Sequence, residues 1–200
     1  MDRDQTPIGG LSSPMLPSEQ LYFVTIFMDL AAIILSFLVT PYFALGILLY
    51  ILASRAYSYR GIRIKKYSIA GFIIVVMCQG ALIFFITWHG SHYSNSLDAP
   101  VLPCIISSLL IGALYPLTQI YQHEADKMDG VATISYVVGK KGTFILSGLL
   151  FFLATIFLYL RFQEMKNTGS FLLFLGIMLP VVFFFVYWMQ KVWMNENEAN

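Results

Sequence analysis

The sequence predicts an all-α integral membrane protein, a multi-span bundle of about six transmembrane helices. Of its 200 residues, 58% are hydrophobic and 12% are charged, and the mean hydropathy is +0.73. The charged fraction is about half that of an average soluble domain. Several apolar segments are long enough to cross a hydrocarbon core of about 30 Å. These observations exclude an ordinary soluble domain and indicate a chain that folds in lipid.

Six apolar segments are predicted to span the membrane, five at full length and the second marginally. Their approximate bounds are 21–40, 41–54, 67–88, 101–121, 143–160 and 171–193. Residues before the first span form a loop rich in Pro, Gly and Ser, and Ser18 is a candidate N-cap. The short second segment begins at Pro41 directly after the first, so the two are expected to form a tight hairpin. Residues 195–200 form a polar C-terminal tail.

The distribution of lysine and arginine predicts which loops face the cytoplasm. With a cytoplasmic amino terminus, only Arg161 and Lys166 of the 12 cations fall on the outer side. This asymmetry places the polar loops 55–66 and 121–142 on the cytoplasmic face. The sequence therefore predicts an integral protein of an inner or plasma membrane, with both loops exposed to the cytosol.

A few polar side chains lie within or beside the predicted spans. Asp29 would be costly in lipid, so it is predicted to line a wet cavity or to form a buried hydrogen-bonding pair. Gln79–Gly80 either lines a cavity or, through the glycine, allows two helices to approach closely. His89 and His92 follow in an outer segment that the sequence favours as a solvated linker.

Tyrosines concentrate toward the predicted cytoplasmic ends of the helices. The default interpretation is an interfacial aromatic belt. The alternative is a wall of aromatic faces that stabilises a cation formed in a reaction. The residues concerned are Tyr50, Tyr57, Tyr59, Tyr115 and Tyr121.

A polar, acidic segment between the fourth and fifth predicted spans carries the candidate metal ligands. Its acids are Glu124, Asp126 and Asp129, with Gln122 nearby. In a helical conformation, residues 122 and 126 lie one turn apart on one face and together could hold a divalent cation through oxygen ligands. The alternative is a solvated connector between two membrane helices.

Two further stretches accompany this acidic segment. One is Met1-Asp-Arg-Asp-Gln-Thr-Pro-Ile-Gly-Gly10, and the other is Tyr57-Ser-Tyr-Arg-Gly-Ile-Arg-Ile-Lys-Lys66. Together the three stretches resemble the UbiA-type intramembrane prenyltransferases. In that family the first motif reads Asn-Asp-x-x-Asp-x-x-x-Asp, and a loop often reads Tyr-Ser-x-x-x-x-Arg-x-Lys. The second motif reads Asp-x-x-x-Asp and precedes a Gly and a Thr.

The resemblance implies roles for individual residues. Asp126 matches the last acid of the second motif, Gln122 stands where its first Asp is expected, and Glu124 is a substitute ligand. Asp2 resembles the middle acid of the first motif, and Thr6 stands at its final Asp. The implied Mg²⁺ ligands are Asp126, Asp2, Glu124 and Gln122. The implied diphosphate-binding residues are Arg63, Lys65 and Arg60.

The resemblance spans the family's third to eighth helices. Residues 1–200 are accordingly expected to be a single membrane domain without the family's first two helices. The implied activity is a Mg²⁺-dependent transfer of an isoprenyl group from a prenyl diphosphate to an aromatic or lipid-pathway acceptor, as in quinone biosynthesis. The expected partners are these two small molecules and membrane lipid, with no nucleic acid.

Two alternative functions fit parts of the pattern. A non-catalytic relic of the same family is favoured by Thr6 and Gln122, which stand at positions where the motifs have Asp. A small-molecule membrane transporter would use Asp29, Gln79 and the loop acids along a solute path, but internal symmetry and interrupted helices are not evident. For the basic loop alone, contact with anionic lipid is a simpler explanation than diphosphate binding.

Overall fold

The computed structural model describes residues 18–59, 61–92, 94 and 96–196. Within those residues all regular secondary structure is helical, which confirms the predicted all-α class. The helices are α1 (Ser18–Ser36), α2 (Pro41–Ser58), α3 (Ser68–Ser91), α4 (Val101–Leu114), α5 (His123–Met128), α6 (Ile134–Glu164) and α7 (Thr168–Met194). Short 3₁₀ segments at Ile64–Lys66 and Leu117–Gln122 precede α3 and α5.

Helices α1 and α2 form the predicted hairpin. Pro41 occupies the start of α2, where its missing N–H costs no hydrogen bond, and the Thr40 hydroxyl accepts from the Phe43 N–H at 3.0 Å. Across the hairpin, the Arg55 guanidinium donates to the Asp29 carboxylate, with Nε to Oδ2 at 3.1 Å. The hydrogen-bonding pair predicted for Asp29 is therefore present, but it is partly exposed rather than buried, with the Arg55 and Asp29 side chains 42% and 28% exposed.

Helix α3 contains a π-helical turn at Val76–Leu82 and packs closely on α4 there. A Cβ added to Gly80 would lie 2.4 Å from the Cα of Ser108, so only a glycine fits this contact. The Ser107 hydroxyl donates to the Gly80 carbonyl at 3.2 Å. Close packing through the small residue is thus what Gly80 provides in this structure.

His89 departs from the sequence-based interpretation. It is 1% exposed rather than part of a solvated linker. Its Nε2 lies 2.8 Å from the Thr40 hydroxyl, and its Nδ1 lies 2.9 Å from the Ser96 carbonyl. Because a carbonyl can only accept, Nδ1 carries a proton. The last turn of α3 therefore folds against the α1–α2 turn, and His89 joins them.

Helix α6 is bent near its start, where Gly139 has a φ of 73° and a ψ of 171°. Beyond this bend, Phe144 packs with Ile120 and Val192 in a buried core that ties α6 to α7 and to the 3₁₀ segment before α5. The Phe144 ring meets Trp188 edge to face at 4.8 Å. This core holds the acidic segment against the bundle.

Four helical stretches among the described residues are long and apolar enough to cross a membrane. They are Ser68–Ser91, Val101–Met128, Ile134–Glu164 and Thr168–Met194, and Tyr22–Ser36 is a shorter apolar helix. Many large apolar side chains on these helices face outward; Phe183 on α7, for example, is 69% exposed. An apolar exterior of this kind is stable in lipid and would aggregate in water. The protein is an integral membrane protein.

The Gly80 contact predicts a large effect of a single methyl group. Gly80→Ala should destabilise the protein by about 1–3 kcal/mol, because the added Cβ forces the α3 and α4 backbones apart. The thermal unfolding midpoint in detergent measures the loss. Gly176→Ala is the matched control, since no atom lies within 4 Å of its added Cβ. Equal midpoints for the two variants would show that α3 and α4 do not pack as described.

Candidate functional site

The basic loop reaches its position through a strained turn. Arg63 has a left-handed backbone, with φ 46° and ψ 60°, which is uncommon for a residue that has a Cβ. Its N–H donates to the Tyr59 carbonyl at 2.6 Å, and the Lys66 N–H donates to its carbonyl at 3.0 Å. At Gly71, an added Cβ would lie 3.3 Å from the Cα of Lys65. The loop is therefore folded back tightly over the start of α3.

The acidic segment ends in a backbone motif that its sequence encodes. Gly130, with a φ of 65°, follows α5, and its N–H donates to the Lys127 carbonyl at 3.2 Å. The Val131 N–H donates to the Asp126 carbonyl at 2.8 Å. These two bonds form a Schellman motif, which requires a left-handed residue such as glycine after the helix. The motif fixes the backbone at Asp126 and Asp129.

The two loops meet through paired charges. Arg63 Nη2 donates to Asp129 Oδ2 at 2.6 Å, and Arg63 Nη1 lies 3.4 Å from the Asp129 carbonyl oxygen. Lys65 Nζ lies 3.7 Å from Asp126 Oδ1. Asp126 is 4% exposed, whereas Asp129 faces the surface. The hydrogen bond from Arg63 holds the pKa of the Asp129 carboxyl below its usual value.

A cluster of phenols lies beside the buried acid. The hydroxyls of Tyr57, at the end of α2, and Tyr115, after α4, are hydrogen-bonded to each other. The Gln119 side chain lies beside Tyr115. Asp126 is close enough for its charge to act on both phenols. One polar cluster thus joins the end of α2 to the stretch 115–126 at one end of the bundle.

The other residues predicted as ligands are less central in this structure. Gln122 is half-buried, and its Nε2 donates to the Tyr121 hydroxyl at 2.9 Å. Glu124 is exposed, and two positions along a helix place it on a different face from Asp126. Asp2 and Arg60 lie outside the described residues. The metal-binding roles assigned to Gln122, Glu124 and Asp2, and the diphosphate-binding role assigned to Arg60, remain predictions.

Asp129 was counted among the loop acids but was not assigned a role from the sequence. In the structure it is the carboxylate that receives the Arg63 guanidinium. In a helix, positions three apart share a face, so the spacing of residues 126 and 129 indicates that their side chains lie on the same side. Its partner could not be read in the same way, because Arg63 lies far away in sequence.

The donor set at this site suits a hard cation. Among the described residues, no group of three or more His, Cys, Asp or Glu side chains converges on one point that could hold a metal. Mg²⁺ is, however, commonly bound by one or two carboxylates, with substrate phosphates supplying further oxygens. Asp126 and Asp129 match that requirement in chemical type.

Comparison with known proteins identifies the family to which the chain belongs. The chain matches the UbiA prenyltransferase family over residues 1–200, so it belongs to that family of membrane proteins. This match confirms the resemblance drawn from the sequence motifs, and it indicates a prenyltransferase kind of activity. Searches of curated proteins and of solved structures gave no match.

The Arg63–Asp129 pair predicts how the Asp129 carboxyl titrates. Arg63→Gln removes the charged donor, so the pKa of Asp129 should rise toward its ordinary value. A carboxyl-carbon NMR titration of isotope-labelled aspartate in micelles measures the change. Arg161→Gln, which breaks the pair with Glu164 at the far end of α6, should leave that titration unchanged. An Asp129 midpoint that does not move in Arg63→Gln would rule out the contact.

The same pair has a defined pH dependence. Because the folded-state pKa is lowered, its contribution to stability is present above the unfolded-state pKa and is lost as pH falls through the folded-state value. Both partners are partly exposed, so this contribution is small.

Proposed function

We propose that this protein transfers an isoprenyl group from a prenyl diphosphate to an aromatic or lipid-pathway acceptor, in a Mg²⁺-dependent reaction within the membrane. The observation that supports the proposal is the meeting of Arg63 and Lys65 with Asp126 and Asp129 at one end of an apolar bundle. A prenyl diphosphate has a matching division between an anionic head and an apolar chain. The positive-inside pattern supports a cytoplasmic position for this end.

The basic residues suit recognition of the diphosphate. Lys65 lies 3.7 Å from Asp126, longer than an ordinary hydrogen bond, so its ammonium can also contact a phosphate oxygen without leaving the acid. Arg63 directs two nitrogens at Asp129, and a guanidinium has five N–H donors in all. Both side chains can therefore bind phosphate oxygens while they remain near the acids.

The acids suit the metal that such a reaction requires. Asp126 and Asp129 are the described residues that would hold Mg²⁺, with Asp2, Glu124 and Gln122 as further candidate ligands. When bound, Mg²⁺ neutralises charge on the phosphate oxygens and so favours departure of the diphosphate. Burial of Asp126 strengthens its interaction with any nearby cation, because the surroundings have a low effective dielectric constant.

An apolar groove offers a place for the isoprenyl chain. It has a volume of about 340 Å³ and lies between α3 and α4, with Phe72, Val76, Leu109 and Gly112 among its lining residues. Gly112 precedes Tyr115 by about one helical turn. The groove therefore approaches the phenol cluster, where the faces of Tyr57 and Tyr115 could stabilise an allylic cation.

A non-catalytic member of the family is the second candidate. Gln122 stands where the second motif has an Asp, and its side chain is engaged with Tyr121. A protein of this kind would bind the donor without releasing diphosphate. Turnover by the purified protein separates the two candidates.

The proposed function predicts diphosphate release from farnesyl or geranylgeranyl diphosphate by the full chain in membranes, and only with Mg²⁺ present. Asp126→Asn should lower the rate on the order of 100-fold, because the buried anionic ligand is lost. Glu164→Gln, at the opposite end of α6, should retain the rate. Release that continues in a chelator, or an unaffected Asp126→Asn variant, would exclude the proposal.

Lys65 provides a separate prediction on donor binding. Lys65→Met keeps much of the side-chain volume but removes the charge, so KM for the prenyl diphosphate should rise about tenfold. Lys166→Met, a cation in the turn between α6 and α7, is the matched control and should leave KM unchanged. Steady-state kinetics over a range of donor concentrations measure both constants. An unchanged KM in Lys65→Met would assign this cation to lipid contact instead.

A further inference from the structure

Gln119 has a hydrogen-bonding requirement that its surroundings do not meet. The residue is 5% exposed, and its side-chain carbonyl oxygen Oε1 is buried with no hydrogen-bond partner among the described residues. The Gln119 side chain lies beside the Tyr115 phenol, but Oε1 makes no hydrogen bond to it. Buried carbonyl oxygens nearly always accept a hydrogen bond.

The side chain is held in this orientation by its neighbours. The Gln119 side chain lies beside Tyr115, whose hydroxyl is bonded to the hydroxyl of Tyr57. Tyr57 is fixed in the bundle, because its ring packs near Gly71, where an added Cβ would lie 3.6 Å from Tyr57 Cε2. Because Gln119 is only 5% exposed, its side chain is packed among these neighbours, and its carbonyl oxygen is a positioned acceptor rather than part of a freely rotating group.

Another buried polar atom shows why Gln119 is distinctive. Ser147 Oγ also has no partner among the described residues. A serine hydroxyl within a helix can rotate to donate to a carbonyl of the preceding turn. A carbonyl oxygen has no such internal option and needs a donor from outside its own side chain. Of the two atoms, Gln119 Oε1 is the one that points to a ligand.

The chemistry of the proposed reaction identifies which ligand can satisfy it. An isoprenyl chain has no polar hydrogen, and a metal-bound diphosphate presents acceptor oxygens. The acceptor substrate is the reactant that can supply an O–H or N–H donor. Resting on the proposed function, we propose that Gln119 is a specificity-determining residue whose carbonyl oxygen accepts a hydrogen bond from the acceptor substrate.

The proposal predicts a selective defect in use of the acceptor. The probes are para-hydroxybenzoate, homogentisate and the O-methyl ether of each. They are assayed with the full chain, farnesyl diphosphate and Mg²⁺. For a phenol that the protein prenylates, Gln119→Met should raise KM about tenfold. KM for the donor should stay unchanged. The methyl ether should be a poor substrate for the wild type, and Gln119→Met should not worsen it further, because the donor hydrogen is already absent.

Controls separate this role from a structural one. Gln163→Met disrupts another glutamine–tyrosine contact, with Tyr159 at 2.8 Å on the far part of α6, and should leave all constants unchanged. Tyr115→Phe removes the hydroxyl that lies beside Gln119 and should raise KM for the phenol in the same sense. Thermal midpoints in detergent confirm folding of each variant. If Gln119→Met does not fold, two measurements replace it. These are KM for the phenol in Tyr115→Phe and the ratio of kcat/KM for the phenol to that for its methyl ether in the wild type.

Each remaining outcome has a definite meaning. Diphosphate release is measured both with and without each phenol, and its absence in the wild type under both conditions rejects the proposed function. If the wild type releases diphosphate but neither phenol is prenylated or speeds that release, the inference about Gln119 is overturned and the proposed function stands. An equal KM for the phenol in Gln119→Met also overturns it. If Gln119→Met changes the Mg²⁺ concentration dependence instead, the oxygen is a metal ligand and the inference is wrong.

Discussion

The structure depends on one constraint, which is that polar groups within an apolar bundle must find partners inside the protein. Asp29 is paired with Arg55, Asp126 with Lys65, and the hydroxyls of Tyr57 and Tyr115 with each other. Each pair links segments that are distant in the chain. Satisfying these groups therefore ties the helices together at particular points. At the end of the bundle that carries Asp126, the same requirement concentrates charge into a site.

Local backbone devices give that site its geometry. The left-handed turn at Arg63 and the tight approach at Gly71 fold the basic loop over α3, and the Schellman motif at Gly130 fixes the acidic segment. The buried core around Phe144 holds the acidic segment against the bundle. The cations and acids are thus held by backbone and core packing, so their proximity does not depend on the weak energies of exposed ion pairs.

Hydropathy and residue spacing were sufficient for the coarse fold, because membrane spans are long and their composition is distinctive. The hairpin at Pro41, the pairing of Asp29 and the close contact at Gly80 followed from local rules and are present in the structure. Burial of His89 was not predictable, since it depends on Thr40 and Ser96 closing over the helix end. The same reason applies to Gln119 and to Asp129. Their proposed roles depend on Tyr115 and Arg63, whose proximity no periodicity encodes.

The central claim is that Lys65 and Asp126 act together on one diphosphate–metal site. A double-mutant cycle of Lys65→Met and Asp126→Asn on kcat/KM for diphosphate release tests it most directly. If the two side chains serve one site, the double variant should be about as active as Asp126→Asn alone, because the residues act as a unit. Losses that multiply, as for two independent positions, would contradict the account.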